Sequence, residues 1–176
     1  MKILALALLV FLAGCAKKEG DQTAAIQEAV FRYQFSHNAS VGQQSHQVWF
    51  LAFGDPHEEG AIDPPKEFMS RFSDLPRIGL LSEAGRSDSG WVIDAKTKEP
   101  GVIFFVHDVR LTGSNSAVAK GGYQQDKRSA SGNTYTLKFG WRGWRVTGAS
   151  LDWISQRRPN KRPEPMAVLR TAMAHH

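Results

Sequence analysis

The residues of this chain that could carry acid–base chemistry are few. His107 and Asp108 are neighbours in an apolar run, Asp152 lies near the end of the last apolar segment, and Glu83 ends a shorter one. An aspartate that faces an apolar pocket has a raised pKa and can act as a general base. Adjacent residues of a strand point to opposite faces, so His107 and Asp108 cannot both face one pocket. We predict Asp108 and Asp152 as candidate pocket residues and assign no catalytic residue.

The single cysteine, Cys15, offers thiol chemistry of a different kind. Lys2 is followed by the apolar run 3–13, which is too short for a bilayer core of about 20 residues. A basic start, a short apolar run and then small residues are typical of a secretory signal peptide. One cysteine also excludes an internal disulfide. The sequence therefore predicts export, with Cys15 at the end of the signal segment.

The segment Leu12-Ala13-Gly14-Cys15 resembles the lipobox of bacterial lipoproteins. The resemblance implies cleavage between Gly14 and Cys15, diacylation of the thiol and acylation of the new amino group. Two or more acyl chains anchor a protein stably, whereas one gives only marginal binding. Ala16 after the cysteine resembles the outer-membrane-directed pattern, so we expect an outer-membrane anchor that faces the periplasm. The alternative is an ordinary signal peptide with a chance cysteine.

Two further clusters invite other functions. His57-Glu58-Glu59 matches no usual zinc spacing and lies in a predicted loop, so we predict no metal and no cofactor. Aromatic residues alternate with Lys and Arg over 135–153, which superficially resembles a stacking platform for nucleic acid. Period-2 alternation explains them as core aromatics opposite solvated basic residues. We predict no nucleic-acid partner.

Two helices are predicted in the first half of the chain. Apolar spacing predicts a helix over 23–36, with Asp21 or Thr23 as its N-cap. A loop follows over 37–42. A second helix is predicted to begin near Asp63, with that residue as N-cap and Pro64 at the first helical position. The apolar face of the first helix is formed by Ile26, Ala29, Val30 and Tyr33.

Strands dominate the rest of the prediction. The segment 47–53 is apolar on both faces and predicts a buried strand, 78–83 a short strand, and 84–100 a loop-rich excursion. Gly121-Gly122 predicts a bulge. Four segments with short, turn-rich linkers predict an antiparallel meander, and together with the helices they define an α+β fold with helices on one face of a curved sheet. These segments are 101–111, 117–124, 134–139 and 144–154.

This order of elements resembles the NTF2-like, or cystatin-like α+β, superfamily, and more narrowly a group of uncharacterised bacterial members. The resemblance covers 25–155 and implies N-terminal helices packed into the concave side of a strongly bent sheet, with a pocket between helix and sheet. The group brings no assigned chemistry. The resemblance rests on AVFRYQ at 29–34, 63–72, PGVIF at 100–104, GGY at 121–123, ASGNTY at 130–135 and WIS at 153–155.

Charge divides the chain unevenly. The net charge is +5, but residues 15–156 hold 16 Lys or Arg and 16 Asp or Glu, whereas 157–176 hold five basic residues and one Glu. The tail is expected to contact anionic lipid head groups, lipopolysaccharide or an acidic partner. We predict a signal peptide at 1–14, a lipidated tether at 15–22, an NTF2-like domain at 23–156 and a basic, proline-rich tail at 157–176.

These features predict a membrane-anchored envelope lipoprotein with a non-enzymatic binding or structural role. We expect it to contact the membrane through its lipid anchor and to bind an envelope protein as its partner. One alternative is an enzyme or small-ligand carrier that uses the concave pocket, and another is a toxin-immunity or inhibitor role. The lining of the pocket discriminates among them. Convergent polar groups that include Asp108 or Asp152 favour chemistry, and a filling of Phe, Trp and Leu favours a scaffold.

Overall fold

The structure is a computed structural model that describes residues 2–37, 47–126 and 128–155, with side chains of the first helix from residue 20 onward. The loop was predicted over 37–42, but His37 belongs to the first helix. Residues 38–42 and the predicted tail at 157–176 lie outside the described residues. The described elements are α1 (Lys2–His37), β1 (Val48–Phe53), α2 (Lys66–Met69), β2 (Ile78–Leu80), β3 (Ala84–Arg86), β4 (Val92–Asp94), β5 (Gly101–Gly113), β6 (Ser116–Gln124), β7 (Ala130–Gly140) and β8 (Gly143–Ile154). This is an α+β fold, as predicted.

One six-stranded sheet with the order β2-β1-β5-β6-β7-β8 organises the fold. The last four strands form the predicted antiparallel meander. The sheet is not antiparallel throughout as the predicted curved meander sheet would be, because β1 pairs in parallel with both β2 and β5. Parallel neighbours need a long crossover, and the connection from β1 to β5 supplies it through α2, β2 and the β3–β4 hairpin. The sheet is therefore mixed.

The first helix is longer than predicted. It begins at Lys2 and continues to His37, so Asp21 and Thr23 lie inside it and do not cap it. The division into signal peptide, tether and domain stays a prediction. The sheet-facing side of α1 buries Ile26 and Val30, as the spacing predicts, and also the rings of Phe31 and Phe35.

The first six residues of β5, 101–106, are buried on both faces, which explains its unbroken apolar start. Phe104 faces α1 and packs edge-on to Phe35, with ring centroids 5.2 Å apart. Phe105 points the other way, into a smaller cluster with Val92 of β4. A strand covered on both sides has no wet face and therefore needs no polar alternation.

The connection between β1 and β5 corrects three predictions. α2 begins at Lys66, after Pro65, and Asp63 does not cap it. The Asp63 carboxylate accepts hydrogen bonds from the backbone N–H of Ser82 at 2.8 Å and from its hydroxyl at 2.6 Å. The strand predicted over 78–83 ends at Leu80 and is followed by a 3₁₀ turn. The excursion 84–100 contains the β3–β4 hairpin, which the sequence analysis missed.

Glycines allow three neighbouring strands to approach closely. The bulge predicted at Gly121-Gly122 is absent from the described pairing, because both glycines pair in register with β5. A Cβ on Gly122 would overlap the carbonyl oxygen of Ser131, and one on Gly132 would overlap the Trp153 indole. The sheet therefore tolerates no side chain at these points.

We predict that Gly122→Ala lowers the free energy of unfolding by about 1–3 kcal/mol, because the added methyl must displace backbone. Gly148→Ala is the matched control, since a Cβ at Gly148 of β8 meets nothing within 4 Å. Urea denaturation of both variants measures the difference. Equal stability of the two variants would contradict this account of the close approach.

Candidate functional site

A cavity of about 270 Å³ lies between the C-terminal end of α1 and the sheet. Helix residues form one wall, and residues of β5 to β8 form the other. We call it the helix–sheet cavity, and its lining residues are Tyr33, Gln34, His37, Phe104, Gly122, Tyr123, Ser131, Asn133, Tyr135 and Ala149. It stays open at the edge of the sheet because Ala149 of β8, which pairs with Tyr135, contributes only a methyl group.

The side-chain amide of Gln34 is a buried polar group of this cavity, with 5% of the residue exposed. Its Nε2 donates to the carbonyl oxygen of Phe105 and to the hydroxyl of Tyr135, both at 3.2 Å. Its Oε1 is buried and accepts no hydrogen bond from the described residues. A buried acceptor without a partner costs roughly 1–3 kcal/mol. Because protein atoms cover this oxygen, a ligand in the cavity would reach it only after a neighbouring side chain moved.

Tyr135 faces Gln34 from β7 and is almost fully buried. Burial raises the pKa of its phenol above the usual value, against the opposing effect of hydrogen bonds from Gln34 and Asn133. The hydroxyl therefore remains protonated at neutral pH and can both donate and accept. Tyr33 packs edge-on to Tyr135, with ring centroids 5.8 Å apart.

His37 closes the helix side of the cavity. Its ring stacks on Tyr33, one turn earlier, with centroids 3.9 Å apart and planes at 9°. Its Nδ1 lies 3.0 Å from the backbone oxygen of Tyr33 and 2.8 Å from the Ser36 hydroxyl. The imidazole is thereby held against the helix end, with its edge beside the cavity.

The chemistry of the helix–sheet cavity is that of hydroxyls, amides and aromatic rings. No described residue that lines it carries a carboxylate or a lysine or arginine side chain. A cationic ligand would find no carboxylate there and an anionic ligand no lysine or arginine, whereas a small uncharged molecule with a ring and a hydrogen-bonding group matches the lining. The cavity is suited to binding.

A second cavity of about 340 Å³ lies on the opposite face of the sheet. We call it the opposite-face cleft. The pairing register aligns His107, Lys120 and Thr134 across β5, β6 and β7, and Asp152 accepts a hydrogen bond from the Thr134 hydroxyl at 2.7 Å. The remaining lining residues are Asp55, Glu58, Phe105, Gly121, Gly132, Asn133 and Trp153.

The two predicted pocket residues lie apart from the helix–sheet cavity. Asp152 lines the opposite-face cleft. Asp108 is exposed and adopts a positive φ of 50° where the β5–β6 pairing shifts register, and its nearest ion-pair partner is Lys120 at 3.5 Å. Glu83 accepts a hydrogen bond from the backbone of Leu80 at 2.8 Å. The fold therefore does not gather these carboxylates into one site.

The polar groups of the helix–sheet cavity escaped the sequence analysis. Gln34 follows Val30 by four residues and so falls on the apolar face of α1. A polar amide on the apolar face of a helix is the sequence feature that could have identified Gln34 as a site residue. Tyr135 was assigned only to a buried strand face, because sequence alternation does not show which helix residue meets it.

The remaining site predictions concern the first helix and metals. Leu12, Ala13, Gly14 and Cys15 lie within the span of α1. Among the described residues, no helix is both long and apolar enough to cross a bilayer. The same residues contain no group of three His, Cys, Asp or Glu side chains arranged to hold a metal ion.

Comparisons of the chain with protein-family models, curated proteins and solved structures found no match. The fold and the cavity therefore define the protein at the level of class: an α+β domain with a mixed, mostly antiparallel curved sheet and a cavity of aromatic and polar side chains beneath its long helix.

The raised pKa of Tyr135 predicts a loss of stability at alkaline pH. The folded state retains the phenol proton to a higher pH than the unfolded chain does. The stability from the buried phenol is complete below about pH 10 and is lost as the pH rises through the folded-state pKa. The urea midpoint should decrease between pH 8 and about pH 11, and this decrease should be larger for the wild type than for Tyr135→Phe.

Tyr123→Phe is the control for this titration, since Tyr123 is only partly buried in the same cavity. It should keep the wild-type dependence on pH. The same alkaline loss in Tyr135→Phe as in the wild type would show that another group causes it.

Proposed function

We propose that this protein is a lipid-anchored envelope protein whose NTF2-like domain binds a small uncharged ligand in the helix–sheet cavity. The observation that carries the proposal is a cavity lined by aromatic rings and by the buried amide of Gln34, whose Oε1 lacks a donor among the described residues. Tyr135 and Asn133 add neutral hydrogen-bonding groups beside it. The lining favours binding over catalysis, because the predicted acids Asp108 and Asp152 do not contribute to it.

The NTF2-like assignment is supported by the placement of α1. The helix packs on the face of the sheet that carries Phe104, Ala119 and Leu137, and leaves a cavity near its C-terminal end. This is the arrangement that the resemblance implies. The parallel pairing of β1 with β5 adds strands at the edge of the meander without covering the cavity.

The anchor is supported by the segment Leu12-Ala13-Gly14-Cys15 alone. Acylation of Cys15 would tie the domain to the membrane by its first helix. Ala16 favours the outer membrane, with the domain in the periplasm. The basic tail 157–176 would add contacts to anionic lipid or to an acidic envelope partner.

Benzamide is a suitable probe of the cavity, because it combines one ring with an amide that can donate to Oε1 of Gln34. We predict that Gln34→Met weakens benzamide binding by about 10-fold or more, which corresponds to one hydrogen bond to a buried group. Isothermal titration or ligand-observed NMR measures the affinity. Thr134→Val, on the opposite face, is the control and should bind as the wild type does.

Three results would contradict the ligand site. One is equal binding by wild type and Gln34→Met, with both proteins folded by circular dichroism. Another is an equal loss in Thr134→Val, which would place the probe in the opposite-face cleft. Failure of benzamide, phenol and benzyl alcohol alike to bind the wild type would also overturn it.

For the anchor, we predict that Cys15→Ser leaves the precursor uncut at 14–15 and abolishes acyl labelling. Cell fractionation and incorporation of labelled palmitate check this. Ser40→Cys in the Cys15→Ser background is the control, because it restores a thiol without restoring the lipobox. Acyl labelling that persists in Cys15→Ser would refute the anchor and would leave the ligand site untouched.

A further inference from the structure

The two long hairpins β5–β6 and β7–β8 end side by side in an exposed aromatic surface. We call residues 110–116 and 138–145 the hairpin tip. The Phe139 N–H donates to the Asn115 carbonyl oxygen at 2.9 Å, and the Lys138 amine donates to the Ser116 hydroxyl at 2.8 Å, which joins the two turns. Trp141 is 86% exposed, Phe139 52% and Leu111 47%. Exposed apolar residues grouped at one end mark an interaction surface.

The charge of the hairpin tip has one sign. The four charged residues within 109–119 and 134–151 are all basic, and no Asp or Glu occurs in either segment. The Arg142 guanidinium lies over the Trp141 ring, 4.1 Å from its centroid. A domain whose charges balance overall is therefore locally basic at this end. The basic residues are Arg110, Lys138, Arg142 and Arg145.

The apolar side chains of the tip share the face of the sheet that α1 covers. Leu111 and Leu137 both pair with Ala117, and residues paired across strands point to the same face. Phe139 lies two residues beyond Leu137 and packs against Trp144, with ring centroids 5.4 Å apart. The surface is thus a continuation of the buried face beyond the end of the helix contact.

The N-terminal direction of α1 leads toward the same end of the molecule. Phe35 stacks on Trp49 at 4.7 Å between ring centroids, whereas Phe31, one turn earlier, lies 6.4 Å from Phe53, four residues later. The helix therefore runs antiparallel to β1. Since β5 is parallel to β1, and β7 runs the same way as β5, both strands end where the helix starts.

The proposed lipid anchor thus belongs at the aromatic end. Gly20 and Asp21 lie near Phe53, and Cys15 is five residues earlier on the same helix, about 7.5 Å along its axis. β8 runs back from the tip, so Ser155, the last described residue before the basic tail, lies at the opposite end of the strand.

We infer that the hairpin tip inserts Trp141 into the interface of the anionic bilayer to which the domain is anchored, and so fixes its orientation. Tryptophan rings prefer the head-group level of a membrane, and each nearby Lys or Arg adds attraction to anionic lipid. This inference rests on the proposed anchor for the choice of membrane. The helix–sheet cavity, near the C-terminal end of α1, would then face away from the lipid.

The test uses the full protein purified from membranes and reconstituted in vesicles of phosphatidylethanolamine and phosphatidylglycerol. Lipid brominated in the upper acyl chain quenches tryptophans at the interface. We expect Trp141→Phe to reduce the quenched emission by about half, because half-buried Trp144 lies nearby and Trp49 and Trp153 do not reach the tip. Trp91→Phe is the matched control, because Trp91 is 45% exposed on the β3–β4 hairpin; it should leave the quenched emission unchanged.

The outcomes separate the tip from the anchor and the tail. Equal quenching in wild type and Trp141→Phe overturns the inference, as does equal quenching of the wild type in phosphatidylcholine vesicles, which lack anionic lipid. The tail 157–176 is present in every variant and cannot cause a difference between them. Mass spectrometry of Cys15 reports acylation separately, so an unmodified Cys15 with quenched Trp141 would refute the anchor alone.

Discussion

The burial of the first half of β5, residues 101–106, on both faces is the constraint on which the rest of the structure depends. Phe104 requires α1 on one side, and Phe105 requires the β3–β4 hairpin on the other. The long connection from β1 supplies that second cover and at the same time makes the crossover that lets β1 pair in parallel. One buried strand thereby determines the mixed sheet, the position of the helix and the cover of the opposite face.

The helix–sheet cavity lies where the contact between α1 and the sheet has few large side chains to fill it. Toward the N-terminal part of the contact, Ile26 and Val30 fill the space above the sheet. Near the C-terminal end of α1, the sheet offers Gly122 and Ala149, and the helix offers an amide. Space and unsatisfied polarity therefore coincide at one place, which is the physical basis of a binding site.

Basic charge and exposed apolar surface are concentrated at one end of the described domain. Trp141 and a cluster of arginines lie at the end where α1 starts, and the last strand returns the chain to the other end before the basic tail. A net charge close to zero conceals this polarity. If the hairpin tip contacts a membrane, this asymmetry would also orient the helix–sheet cavity relative to that membrane. The proposed ligand site and the proposed membrane contact therefore depend on the same arrangement of α1 and the sheet.

The sequence by itself determined the α+β class, the meander 101–154 and the apolar stripe of α1, because these follow from local periodicity. It also predicts Cys15 as a lipid anchor, which stays a prediction. Only the tertiary structure decided that β1 pairs in parallel, that Asp63 binds Ser82 rather than capping α2, and that Gln34 meets Tyr135 across 101 residues. Local patterns specify which face of an element is apolar, whereas partners distant in the chain are chosen by how those faces pack together.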